Sequence, residues 1–127
     1  MSAGTALAEA ALAALASVGG LNGRYDGPPL QAACPFATVE PGPETDWGYK
    51  SGIGREVRLT VTLRDEGERP GRLRGLMDEA EAALAALGGE LPGWRIVTLV
   101  LLRRRVLPAA ERRWAGVLDY RARMLGA

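Results

Sequence analysis

The segment Arg55–Asp65, R-E-V-R-L-T-V-T-L-R-D, constrains the fold more than any other. Val57, Leu59, Val61 and Leu63 fall on one side of an extended chain, and Arg58, Thr60, Thr62 and Arg64 on the other. Strict period two with β-branched residues predicts a half-buried strand. Such a strand needs neighbours in a sheet and a layer over its apolar face. The ten residues before it differ. In Thr45–Gly54, Trp47, Tyr49 and Ile53 are interrupted by Gly48, Gly52 and Gly54, and Lys50 is the chain's single lysine. This predicts a glycine-rich loop, mobile in the isolated chain and ordered on contact with a partner. Two readings stand. Either Trp47 folds back onto its own sheet in an ordinary hairpin, or Trp47, Tyr49, Lys50, Ile53 and the adjoining Arg55 form a contact surface. Trp and Tyr supply large contact area at low entropic cost.

Material to cover that strand is present on both sides of it. Thr5–Ser17 is rich in alanine, with Leu7, Ala11 and Leu15 on one face and Glu9 as its one charge. It predicts a helix capped by Ser2 or Thr5, ended at Gly19-Gly20, and covered on more than one side. Leu73, Leu76, Met77, Ala80, Leu84 and Leu87 recur at helical spacing until Gly88-Gly89, predicting a second, amphipathic helix. Asp78, Glu79 and Glu81 read as its solvated face.

The remaining segments read as strands. Tyr25 belongs in a short edge strand before the turn Asp26-Gly27-Pro28-Pro29, and Phe36–Glu40 in another that Pro41-Gly42-Pro43 breaks. Trp94–Leu102 is almost continuously apolar and predicts a central strand covered on both faces. Pro108–Arg112 reads as a connection. From 113 to 123 a last strand alternates, with Trp114, Gly116, Leu118, Tyr120 and Ala122 on its apolar side and Met124 continuing it; it pairs with 94–102 as an antiparallel hairpin. Trp94 and Trp114 read as core anchors. The expected architecture is α+β: one domain spanning 1–127, a mostly antiparallel sheet with two helices packed on one face.

Composition excludes more than it selects. The chain carries a net charge of +1, which gives no reason to expect bulk attraction to nucleic acid or membrane. No stretch approaches the roughly 20 apolar residues of a membrane span, and the N-terminal apolar run lacks the basic start of a secretory leader. There is no histidine, so Ser-His-Asp and Cys-His sites and His-ligated metals are ruled out. The one cysteine, Cys34, precedes Pro35 and reads as a small buried or half-buried thiol rather than a catalytic one. Gly48, Gly52 and Gly54 lack the strand-before, helix-after setting of a phosphate loop. No catalytic, cofactor-binding or metal-binding residues are expected. Arg103, Arg104 and Arg105 are candidate electrostatic contacts; the simpler reading is a charged strand end entering solvent. Adjacent strand residues point to opposite faces, so not all three serve one partner.

Read in order, the alanine- and leucine-rich first helix is followed by G-R-Y-D-G-P-P, C-P-F-A-T-V-E and D-W-G-Y-K-S-G-I-G-R-E-V-R-L-T-V-T-L-R. Then come R-L-R-G-L-M-D-E-A-E-A-A-L, R-I-V-T-L-V-L-L-R-R-R and R-W-A-G-V-L-D-Y-R-A-R. This succession resembles the small tail-completion, or tail-terminator, proteins of long-tailed phages and phage-derived gene transfer agents. The resemblance covers most of the chain and carries no catalytic fingerprint. It implies an α+β fold and a homo-hexameric ring at the head–tail junction of a virion or virus-like particle, assembled in the bacterial cytoplasm. The ring would end the tail tube of the major tail protein and meet a head-side stopper protein, with DNA passing through its channel without sequence readout. The alternatives are a head-side stopper or adaptor of the same particle, or a small non-viral α+β interaction module. An enzyme or ligand-binding domain is disfavoured by the missing histidine, metal set and phosphate loop.

Overall fold

The structure, a computed structural model, describes residues 1–127. The elements follow as α1 (Ala3–Leu15), β1 (Gly23–Asp26), β2 (Phe36–Asp46), β3 (Gly54–Glu66), α2 (Gly71–Ala85), β4 (Glu90–Leu91), β5 (Trp94–Ala110) and β6 (Arg113–Gly126). The strands form one six-stranded sheet in the order β1-β2-β3-β6-β5-β4. Only the β1–β2 pair is parallel; the others are antiparallel. The fold is therefore α+β, as the alternation and the two helical patterns require.

The alternation of β3 sets the layers. Val57, Leu59, Val61 and Leu63 are fully buried under the helices, together with Leu118, Ala122 and Met124 of β6. Helix α1 contributes Leu7, Ala11 and Leu15, and α2 contributes Leu73, Met77, Ala80 and Leu84, to one continuous core. Both helices contact β3 and each other, so α1 finds cover on more than one side within the chain. Ser2 caps α1 by accepting the Thr5 amide at 3.1 Å. At its other end Arg24 donates to the Leu15 and Val18 carbonyls at 2.6 and 2.5 Å. Met77 presses on β6 so closely that a Cβ on Gly116 would lie 2.3 Å from its Sδ. Leu73, Leu76, Met77, Ala80 and Leu84 are buried as the helical spacing predicts; Leu87 is half-buried.

Several expectations are corrected. The Pro41-Gly42-Pro43 sequence does not end β2; the strand continues to Asp46 through an irregularity between Pro41 and Glu44. The reason lies at the sheet edge. β1 pairs with β2 only from Phe36 to Val39, so beyond that point a proline's missing N–H on the free side leaves no ladder bond unmade. Glu44 then fastens this outer half to the fold by accepting the Gly4 amide at 2.9 Å. The predicted loop at 45–54 shrinks accordingly: Thr45 and Asp46 lie in β2 and Gly54 opens β3.

The second correction concerns β5. It is not a central strand covered on both faces, and it does not stop at Leu102; it runs to Ala110, leaving Glu111 and Arg112 as the turn into β6. Arg112 takes the left-handed conformation there, with φ of 57°. β4 pairs only with Trp94 and Arg95, so beyond its first two residues β5 is an edge. Its apolar run is half solvent-facing rather than doubly buried, and the pattern alone cannot tell these apart.

Candidate assembly surfaces

The β2–β3 connection is a hydrogen-bonded hairpin tip. The Trp47 amide donates to the Gly54 carbonyl at 2.9 Å, and Tyr49 and Gly52 exchange backbone bonds at 3.2 and 3.1 Å, so that Lys50 and Ser51 form the apex. The glycines permit this tightness: a Cβ on Gly54 would lie 2.3 Å from the Trp47 carbonyl oxygen. Trp47 is half-buried, with the Arg123 guanidinium carbon 5.6 Å from its ring centroid, a cation–π spacing. Tyr49 and Ile53 point outward and are 54% and 60% exposed. The Ile53 carbonyl accepts the Gly126 amide at 2.8 Å, which fixes the tip to the end of β6.

The five sequence-predicted tip residues thus divide. Tyr49, Lys50 and Ile53 face solvent. Trp47 folds back on Arg123 beside Leu125, as the hairpin reading had it. Arg55 is a staple at the base, with Nε 3.6 Å from Glu44 and Nη1 3.3 Å from Asp46 and 2.9 Å from the Gly54 carbonyl.

The three arginines of β5 divide as well. Arg104 lies on the helix side, where it donates to Asp78 at 2.7 Å, to Glu81 and to the Arg74 carbonyl at 3.3 Å. Asp78 and Glu81 are therefore the acidic half of a clamp between α2 and β5, not free solvated charges; Glu79 stays exposed. Arg103 is on the open face, 3.4 Å from Asp119, which also accepts the Thr60 hydroxyl at 2.9 Å. Arg105 is exposed and makes no ion pair within the chain.

The open sheet face is polar. Glu56 sits between Arg121 and Arg123 at 3.8 and 3.2 Å. A shallow depression of about 630 Å³ is lined there by Thr45, Glu56, Arg58, Thr60, Arg103 and Asp119. Its two carboxylates, Glu56 and Asp119, are each matched by arginines. Cross-strand register assembles this face, so single-strand patterning could mark its residues as polar but not as neighbours.

Two other ionisable groups are strongly placed, and both are structural. Asp65 is 4% exposed and accepts from Arg72 at 2.8 and 2.5 Å and from the Glu66 amide at 2.8 Å. The Arg72 hydrogen bond holds its carboxyl below the usual carboxylate value against the opposing effect of burial. Burial, aided by Glu66, pushes the Cys34 thiol up, so it is a poor thiolate at neutral pH even with the Arg113 guanidinium 3.9 Å away. Trp94 and Trp114 are half-buried anchors rather than full core residues; their indoles donate to the Met1 and Gly67 carbonyls, both at 3.1 Å.

A sequence profile described as "Tail completion protein gp17" matches residues 5–125, nearly the whole chain. The chain belongs to this family. Its fold is similar to that of a protein in the virion of a native gene transfer agent particle, with TM-score 0.63 and 26% identity over 98% of this chain and 95% of that one. It also resembles the gp17 protein of bacteriophage SPP1, with TM-score 0.59 and 16% identity over 94% and 89% of the two chains. At that identity the second likeness concerns the fold alone. Among curated proteins, none matches this chain in sequence. The family is thus the one the succession of motifs resembles.

Proposed function

We propose that the chain is a structural assembly protein of a phage or gene-transfer-agent particle. It forms a hexameric ring at the head–tail junction, ends the tail tube and joins it to the head-side stopper, while DNA passes through the ring without sequence readout. The observation that carries this reading is the family match over residues 5–125, and the likeness to a gene transfer agent virion protein accords with it. In this reading the chain assembles in the bacterial cytoplasm, contacts the major tail tube protein, and performs no catalysis. Geometry supports a division of labour. Tyr49, Lys50 and Ile53 offer an exposed apolar and basic tip, with Trp47 and Arg55 holding its shape. Arg105, which makes no ion pair within the chain, and Arg103, whose exposed pair with Asp119 is 3.4 Å long, remain for electrostatic contact, since Arg104 is occupied by Asp78 and Glu81.

The test is genetic and structural. Particles made without the chain are expected to yield filled heads and separate tails, and resupplying it to restore joined particles with six copies at the junction. Joined, infectious or DNA-delivering particles made without the chain would overturn the reading. So would its location anywhere but the junction when particles are imaged.

A further inference from the structure

Cross-strand register sorts the charges of this chain by face. Residues paired across β3, β6 and β5 share a side of the sheet. With Val57, Leu59, Val61 and Leu63 buried under the helices, the residues between them fall on the open side. From the row of Glu56 to the row of Arg64, that side carries Arg58, Arg64, Arg103, Arg105, Arg121 and Arg123. Against these six arginines stand three carboxylates, Glu56 and Asp119 within the face and Glu40 at its β2 margin. Arg95 and Arg113, at the two ends, are matched across strands by Glu90 and Glu66. A chain with a net charge of +1 therefore keeps a positive excess on one surface, which its overall charge conceals.

Pairing divides the six. Arg121 and Arg123 share Glu56, and Arg103 meets Asp119. Arg58, Arg64 and Arg105 are exposed and make no ion pair within the chain. Arg58 also lies directly across from Arg121 in the register. Like charges directly opposite each other weaken an antiparallel pair, so the fold gains nothing from an arginine at 58. An anion outside the chain would supply the missing counter-charge. The three free arginines are spread out. Arg58 and Arg64 are separated by about 20 Å along β3, at roughly 3.3 Å per residue. Arg105 lies between their rows, level with Thr62 and two strands away.

That spread selects the anion. A lone small anion reaches one of the three arginines, whereas one strand of DNA carries about six phosphates over roughly 20 Å, at about 3.4 Å each. A protein partner is usually met by a charge-depleted centre with apolar or aromatic anchors, and the centre of this face is charged. Tyr25 and Phe36, at its β1–β2 margin, pack edge to face on each other with ring centroids 6.0 Å apart, so they offer no free ring on which single-stranded bases could stack. We infer that the open sheet face binds the phosphate backbone of duplex DNA through Arg58, Arg64 and Arg105, with no base readout. The inference rests on the reading above for the presence of DNA beside the protein. It adds which surface meets the DNA, and the binding itself requires neither ring nor tail.

The isolated chain tests it, with a mixed-sequence DNA duplex as probe and binding followed by fluorescence anisotropy, first in low salt and then across a salt series. Two duplexes of unrelated sequence are expected to bind equally, with affinity falling steeply as salt rises. Arg58→Gln, Arg64→Gln and Arg105→Gln are each expected to weaken binding several-fold and to lower the slope of log affinity against log salt by about one. Arg69→Gln and Arg74→Gln remove exposed arginines from the connection before α2 and from α2 itself, and are expected to leave binding unchanged. Arg58→Gln has a second readout: its denaturation midpoint is expected to rise while its affinity for DNA falls, a combination that a structural arginine would not give. No duplex binding by the folded wild type in low salt, or equal losses from the variants on and off the face, would overturn the inference. So would polyglutamate binding as tightly as the duplex at equal charge, which would transfer the face to an acidic protein. Tail joining is scored separately. A chain that binds duplex through this face yet leaves heads and tails unjoined removes the tail reading and keeps the face; one that joins them but binds no duplex removes the face and keeps the tail reading.

Discussion

Arg104 and Arg105 are adjacent in sequence but oppose each other in effect. The Arg104 guanidinium is held by Asp78 and Glu81, and replacing it with Glu would place three carboxylates together at the α2–β5 junction. Arg104→Glu is therefore expected to lower the denaturation midpoint, by an amount that salt reduces, whereas Arg105→Glu is expected to leave it within about 0.5 kcal/mol of wild type. Equal stability of the two variants would show that the clamp contributes nothing. Asp65 gives a prediction in acid. Its carboxyl titrates below the unfolded value because Arg72 and the Glu66 amide bind the charged form. A depressed folded value means the contribution is fully present above the unfolded value, near pH 4, and is lost as pH falls through the folded one. Denaturation midpoints of the wild type and Asp65→Asn are expected to differ at neutral pH and converge in strong acid. Tyr120 behaves oppositely in base. Burial, with Glu81 nearby, raises its phenol to about 12. Its contribution is present below the unfolded value of about 10 and lost as pH rises through about 12.

Elements were legible in the sequence where one strand or helix decides its own pattern. The Val57-to-Leu63 alternation needs only a covered face and an open one, and both exist; the Leu73-to-Leu84 spacing needs only a sheet beneath it. Leu84 tests that helix. It is fully buried, so Leu84→Ala is expected to cost roughly 2–5 kcal/mol, a large share of the about 5–15 kcal/mol of a small domain. The readout is the denaturant midpoint, and an unchanged midpoint would mean the helix does not dock as shown. Illegible elements are those whose meaning depends on neighbours. Pro41-Gly42-Pro43 breaks a strand hydrogen-bonded on both sides but passes through one with a free edge, and nothing within β2 reports how far β1 extends. The apolar run of β5 has the composition of a doubly covered strand, yet beyond Arg95 no strand of the chain covers its outer edge and Val97, Val100, Leu101 and Leu102 stay exposed. At the candidate surfaces, residue type pointed to Tyr49, Lys50 and Ile53. The clamp of Arg104 and the pairing of Glu56 with Arg121 and Arg123 depend on register and helix placement, which local sequence does not encode.

At the scale of the molecule, the candidate contact surfaces lie in different directions. The two sheet edges, β1 and β5, point sideways. The hairpin tip lies at one end of the strands, where Gly54 faces Leu125 and Gly126 faces Trp94. The opposite end, near the β5–β6 turn, is charged, with Glu66 and Arg113 3.5 Å apart and Glu68 and Arg112 also 3.5 Å apart. The two ends of the strands are therefore unlike rims, one carrying Tyr49 and Ile53 and one carrying ion pairs. The tip can be removed without touching the core or the edges. Tyr49→Ser with Ile53→Ser alters two solvent-facing side chains and leaves the Trp47, Tyr49 and Gly52 backbone bonds in place. This double variant is expected to keep its denaturation midpoint within about 0.5 kcal/mol of wild type, to self-associate normally, and to fail in joining tails to heads when it replaces the wild type during particle assembly. A large drop in stability would make the tip part of the core. Normal joining would move the partner contact to the charged rim, where charge reversal at Arg112 and Arg113 is then expected to abolish it.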